Sequence, residues 1–452
     1  MDSTFVPVRS HHYDPELTFD FCVNEPAWSN QAGIHSAFGS TDRLYFRKEV
    51  PVNHDNDLSS SYSTTVWRGE RANAQILVWS SEALEQVRVS TQDLRSAEGN
   101  IIPKDRITFE LVRYVLSNYP YAEKKAICGE SPYKSGFLMP DRFETLDRFD
   151  LPSQTTRPVW MMVDVPRGTA PGTYKGQVEM RAKGKTPQLL NLEIVVQNQL
   201  LPYPKDWKYR LDLWQNPWAV AWYNHVEPWS PEHKMLLKQH LKHYADAGGT
   251  YITTYGVHSP WSDNSYMIEG GMIEWIKKAD GTWAFDYKIF DEYVELAMEC
   301  GINEAITLYT PIPWGFRHRY KDEATGDYSY INWAPSSEEF KKMWNIFLTD
   351  FKFHLEAKSW LDITYIGINE NPMEETLAAI NVVRNHDKCW KITYAGNWHK
   401  ELDGLLDDYS FLYGEEPTIA EQKARAAEVE QLDCDIAMMN GGGIRTDVDA
   451  GK

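Results

Sequence analysis

The chain has 452 residues, with 46 Lys and Arg against 65 Asp and Glu, and a net charge of −19 at pH 7. Domains usually run to roughly 100–200 residues, so two are expected, and 42% apolar with 25% charged residues is the balance of a chain that buries a core. The acidic excess without any polybasic stretch argues against a nucleic-acid partner, and no apolar run approaches the ~20 residues of a membrane span. The start MDSTFVPVRSHH lacks a basic-then-apolar leader, so any export signal is expected to have been removed or never to have existed. A periplasmic or secreted location is the expectation for the full-length protein. Cys22, Cys128, Cys300, Cys389 and Cys434 have neither disulfide-framework nor zinc spacing and read as structural thiols.

The first two hundred residues predict strands at 74–80, 87–91, 108–116, 158–166, 173–182 and 190–198, rich in Val, Ile, Tyr and Trp and parted by turn residues. Gly168–Tyr174 reads as a hairpin turn. Short strands without helical periodicity predict an N-terminal β-sandwich over residues 1–200. Leu201-Pro202-Tyr203-Pro204-Lys205 is a connector, after which the pattern changes.

From 206 to 452, strand-like runs (211–215, 250–256, 304–310, 362–368, 391–396, 409–414 and 435–440) alternate with helical ones near 231–246, 287–299, 336–357, 373–385 and 419–430. Ser230 and Pro231 suit a helix start, and Gly248-Gly249 suit its stop. This alternation predicts a parallel (β/α)8-type (TIM) barrel, with the eighth strand missing or supplied otherwise and truncation at the C-terminal end left open.

Eighteen Trp and 25 Tyr suit ligands with apolar faces and polar rims, such as sugars, although most rings are expected to be packing. Barrel enzymes carry their reacting groups at the C-terminal strand ends. Those ends offer Trp214, Gln215 and Asn216; Tyr255, His258 and Trp261; Tyr309 and Trp314; Asn369, Glu370 and Asn371; Asn397, Trp398 and His399; Glu415 and Glu416. Such a rim suits a neutral polyhydroxylated ligand; no cofactor and no metal is expected. Glu370 is the candidate general acid, a carboxyl group partly desolvated at the barrel mouth, with the amide of Asn369 beside it. Asn371, Glu374 and Glu375 fit ordinary helix-capping chemistry around Pro372. Trp214, Asn216, Tyr309, Trp314, Tyr394, Asn397 and Trp398 are the candidate substrate-binding residues.

Asp206–Pro217 (DWKYRLDLWQNP) resembles the start of the barrel in the exo-β-N-acetylgalactosaminidases of glycoside hydrolase family 123. Trp275–Lys278 with Asp280–Tyr287, Glu370–Glu374, Ala395–His399, Trp67–Arg71 and Arg167–Tyr174 are similar in the same order, so the resemblance spans roughly residues 60–430. It implies a sandwich followed by a barrel. It also implies retaining hydrolysis of terminal β-linked N-acetylgalactosamine in which the substrate's own acetamido oxygen attacks, one of the exceptions to the two-carboxylate rule. The partner implied is a glycan or glycoconjugate with a terminal amino sugar. The family's catalytic pair is Asp-Glu. Its Glu corresponds to Glu370, the proton donor, whereas its Asp corresponds to Asn369. Asn369 is read either as an inactivating substitution, leaving a carbohydrate-binding protein, or as a working partner, as in endo-acting acetylglucosaminidases of another family.

A competing reading is a two-carboxylate retaining glycosidase, which needs a second carboxyl group about 5 Å away. The last predicted strand ends in Gly441-Gly442-Gly443, and Glu415 or Glu416 serves only if the strand count slips. About twenty residues from Asp433 resemble a 5′-nucleotidase C-terminal segment, too short a match to carry that activity over.

Overall fold

A computed structural model describes residues 25–51, 58–117, 137–208, 211–261, 270–410 and 440–441. It divides into two compact units, Met1–Leu201 and Pro202–Lys452.

The first unit is a β-sandwich. One sheet runs in the order 35–39, 71–80, 155–164, 107–117, 137–144; the other in the order 61–68, 188–200, 172–181, 84–91, 149–151. Alternation of side chains builds the space between them. Ile76 and Val78 from one sheet and Val178, Met180, Leu192 and Ile194 from the other share a single buried core. The Gly168–Tyr174 segment is not the hairpin turn expected. The strands it joins, Thr155–Asp164 and Gly172–Arg181, lie in different sheets, so it crosses the core's edge.

The second unit carries a parallel sheet in strict chain order: Tyr251–Tyr255, Ala305–Tyr309, Thr364–Ile368, Lys391–Ala395, Asp408–Ser410, Asn440–Gly441. Among the described residues the two ends of this sheet are not joined, so what is established is an ordered parallel α/β sheet rather than the closed barrel expected from the alternation. The predicted strand 211–215 is reduced to one parallel bridge, Leu211 with Gly249. Further along that segment a side chain does the work of a strand, since Gln215 Oε1 accepts the Thr253 backbone N–H at 2.8 Å.

Helices Pro231–Asp246, Lys288–Glu299, Glu338–Lys358 and Met373–His386 stand between the strands. Glu338–Lys358 shows why one forms: Ser337 accepts the Phe340 backbone N–H at the start, and Phe340, Trp344, Phe347, Phe351 and Leu355 recur at three- and four-residue steps along one buried stripe. The alternation missed a four-stranded side sheet ordered 283–286, 274–277, 317–322, 328–332, and the helix Pro217–Asn224.

Residues paired across a parallel ladder share a face. Tyr255, Tyr309, Gly367, Thr393 and Asp408 therefore form one row across five strands. The other face presents Ile252, Ile306, Leu308, Ile366, Ile368 and Ile392, in one core with Phe290, Val294, Phe347, Phe351, Ile380 and Val383 of the helices. Each such buried aliphatic or aromatic side chain contributes roughly 1.5–3 kcal/mol. Because the strands are parallel, all their C-terminal ends fall on one edge, where the candidate residues gather.

Candidate active site

Strand Thr364–Ile368 ends at Asn369 and Glu370, whose side chains part company at once. Asn369 continues the face of Tyr365 and Gly367 and is 1% exposed, whereas Glu370 is exposed. Glu370 is thus more open to solvent than the partly desolvated carboxyl group expected. Its Oε1 accepts a hydrogen bond from Asn397 Nδ2 at 3.1 Å.

Asn397 is held from below. The Tyr409 hydroxyl, carried on the strand Asp408–Ser410, donates to the Asn397 carbonyl and accepts the His399 N–H, each at 2.7 Å. Tyr394 lies on the same face as Tyr409, ring against ring at 5.3 Å and 83°, and is wholly buried. Its hydroxyl is buried without a hydrogen-bond partner, and burial, followed by the charge of Glu370, pushes its pKa up to about 12. Gly396 makes room for that hydroxyl, since a Cβ there would come within 2.5 Å of it.

Asn369 sits in a small network. Thr310 Oγ1 donates to Asn369 Oδ1 at 3.2 Å, and Asn371 Nδ2 donates to the same oxygen at 3.0 Å. Asn371 Nδ2 also donates to the Ile312 carbonyl at 3.0 Å. Asn371 is therefore no helix cap: the N-cap of Met373–His386 is Pro372, without a side-chain cap, while Glu374 and Glu375 do occupy the first turn. Asn369 Nδ2 is buried and has no partner.

Beside this pair stands an aromatic group. The Trp214 ring lies 5.0 Å from Tyr309 and 5.2 Å from Trp261, and is 45% exposed where Tyr309 and Trp261 are buried. Tyr309 fits because position 367 is glycine: a Cβ there would meet the Tyr309 ring at 3.0 Å and Thr307 Cγ2 at 2.9 Å. Asn216 is occupied elsewhere, its side chain accepting the Ala219 N–H at the start of Pro217–Asn224. Trp314 and Trp398 are half-buried against the core of the unit. Glu415 and Glu416 lie outside the described residues.

Asp212 lies two residues before Trp214, the first of the strand-end residues that the sequence singles out. Its Oδ1 is buried without a partner, and burial, followed by the nearby Asp408, pushes its pKa up to about 7. Burial first, then Asp212 and Asp408, raises the Tyr309 hydroxyl well above its usual value. The polar side of the sheet thus holds two carboxyl groups and a phenol near one another, with Thr393 Oγ1 donating to Asp408 Oδ2 at 3.3 Å. Thr310 and Tyr409 were also missed; a hydroxyl that holds a loop has no local sequence signal. Among the described residues no cluster of three His, Cys, Asp or Glu side chains is arranged to hold a metal ion, and no helix is long and apolar enough to cross a membrane.

Comparison with known proteins agrees with this architecture. The glycoside hydrolase 123 catalytic domain matches residues 214–433, and the glycoside hydrolase 123 N-terminal domain matches residues 38–182. A family 123 glycoside hydrolase from Clostridium perfringens, solved in a study of glycolipid glycan hydrolysis, superposes with TM-score 0.77 at 24% identity, over 91% of this chain and 72% of that one. A family 39 glycoside hydrolase from Bacteroides cellulosilyticus WH2 aligns with TM-score 0.29 at 12% identity, over 79% of this chain and 65% of the other. No curated protein sequence matches the chain significantly. With both domains matched in order, the chain belongs to glycoside hydrolase family 123, and it is a glycosidase that acts on glycans.

Proposed function

We propose that the chain removes terminal β-linked N-acetylgalactosamine by substrate-assisted retaining hydrolysis, in a unit whose parallel sheet belongs to a (β/α) barrel. The acetamido carbonyl oxygen attacks the anomeric carbon as the glycosidic C–O bond breaks, and Glu370 gives its proton to the departing oxygen. Water then adds to the anomeric carbon of the oxazolinium ion, which has kept its N–H, losing a proton to the Glu370 carboxylate as the ring opens to the retained product. Asn369 holds the acetamido group, and Trp214, backed by the buried Tyr309, offers the sugar an apolar face.

One observation carries this reading. Adjacent residues at a strand end place a buried amide and a solvent-facing carboxylate on opposite sides of the chain, the second held by Asn397. That division suits one group inside a pocket and another at the bond to be broken. The test is hydrolysis of an aryl β-N-acetylgalactosaminide with a good leaving group, by the chain and by Asn369→Asp. Turnover is expected from both, faster in Asn369→Asp by roughly 10²-fold, the usual worth of an electrostatic group at developing charge. No turnover by either overturns the proposal. A second reading, a carbohydrate-binding protein, is favoured by the amide at 369, which lacks the charge of a carboxylate; sugar binding without turnover in either form would establish it.

A further inference from the structure

The hydrogen bonds around Asn369 fix which end of its amide is paired and which is left without a partner. The Ile312 carbonyl only accepts, so the atom of Asn371 that meets it at 3.0 Å has to be the amide nitrogen. That same nitrogen meets the Asn369 side chain at 3.0 Å, so the atom it touches has to be an acceptor, Oδ1. Thr310, fully buried, adds its hydroxyl proton to the same oxygen. Turning the Asn369 amide over would set N–H against N–H at Asn371. Asn369 Nδ2 is then left with two protons and no partner, on a side chain that is 99% buried, judging from its 1% exposure. A buried donor without an acceptor is costly unless a ligand or water supplies one.

We infer that Asn371 is a positioning residue that locks the Asn369 amide with its nitrogen toward the ligand, so that position 369 donates to the acetamido carbonyl oxygen instead of accepting from the acetamido N–H. This rests on the amino-sugar reading above and deepens it. A carboxylate at 369 would behave in the opposite way. One oxygen would take the protons of Thr310 and Asn371, and the other would accept the substrate's N–H. The chain therefore reads the 2-substituent by its carbonyl, and its N–H is dispensable. A proton on the attacking oxygen also lowers its nucleophilicity, so the same lock favours binding over turnover.

The experiment compares two methyl β-glycosides by calorimetry: N-acetylgalactosamine, and its ketone isostere with CH2 in place of the amide N–H. The wild-type chain is expected to bind them within about threefold of each other, since both offer the carbonyl. Asn369→Asp is expected to bind the ketone at least tenfold more weakly than the amide, one hydrogen bond to a charged group being worth about that factor. In Asn371→Ala the amide is free to turn, and the wild-type indifference is expected to shift toward the amide ligand. Thr310→Val, which leaves Asn371 in place, is expected to keep it. A merely structural role for Asn371 would weaken both ligands equally and leave their ratio alone. A wild-type preference of tenfold or more for the amide ligand overturns the inference, as does an unchanged ratio in folded Asn371→Ala. If Asn371→Ala does not fold, the wild-type and Asn369→Asp ratios still decide the direction of the amide. Failure of both sugars to bind either form overturns the amino-sugar reading and this inference with it, whereas binding with the wrong ratio overturns this inference alone.

Discussion

Two neighbouring side chains with different surroundings are the residue-scale content of this site. Asn369 faces inward among donors that define its direction, and Glu370 faces outward with one carboxylate oxygen held by Asn397. The division of labour leads to a prediction with an internal control. Glu370→Gln is expected to slow release of an alkyl β-N-acetylgalactosaminide by about 10²–10⁴-fold, the usual worth of a positioned proton donor. An aryl substrate with a good leaving group, which needs little protonation, is expected to lose far less in the first step. Equal losses on both substrates, measured as kcat/KM, would remove Glu370 from the role of general acid. The pair was legible in the sequence as Asn-Glu ahead of Pro372, but the role of Asn371 was not. Asn before Pro at the start of a helix is ordinary capping chemistry, and only the approach of the Ile312 carbonyl, 59 residues away, gives that amide another task.

At the scale of the element, the site depends on how parallel strands stack side chains in rows. Tyr309 lies over position 367 because glycine leaves the space, and Tyr394 reaches the Glu370 side because Gly396 does the same. Gly367→Ala would put a methyl group 3.0 Å from the Tyr309 ring and 2.9 Å from Thr307 Cγ2. It is expected to cost about 1–3 kcal/mol, as overpacking does, and to weaken sugar binding by moving Tyr309 against Trp214. Thermal unfolding and calorimetry on the same variant check both halves. An unaltered melting temperature would show that the ring has another place to go. Strand and helix positions were largely readable because burial on one face imposes its period on the sequence. The run 211–215 was not, since Gln215 meets the Thr253 backbone through its side chain, a substitute ladder that apolar patterning does not distinguish from a strand.

The whole molecule carries a charge of −19, and within it the surroundings of Asp212 oppose ionisation. Its pKa rises from 3.8 to about 7, chiefly through burial and then through Asp408. The neutral form is favoured in the folded state. Its stabilising contribution is therefore complete below about pH 4 and is lost as the pH climbs through 7. At about 1.36 kcal/mol per unit, the effect is on the order of a few kcal/mol. Asp212→Asn, which cannot ionise, is expected to match the wild type near pH 4 and to melt higher above pH 7. A melting curve for the variant that tracks the wild type across that range would show that Asp212 ionises freely in the fold.

Composition and order along the chain were enough to suggest an all-β stretch followed by an alternating one, and to point to Asn369 and Glu370 at the end of a predicted strand. Those features follow from local rules, the period of burial and the parallel direction of strands joined by helices. Tertiary structure alone decided which face each side chain takes and what it touches: the inward turn of Asn369, the burial of Tyr394, the grip of Tyr409 on the Asn397 loop, and the meeting of Asp212 with Asp408. Those depend on residues from about ten to nearly two hundred positions apart, and no local pattern encodes a distance across a sheet.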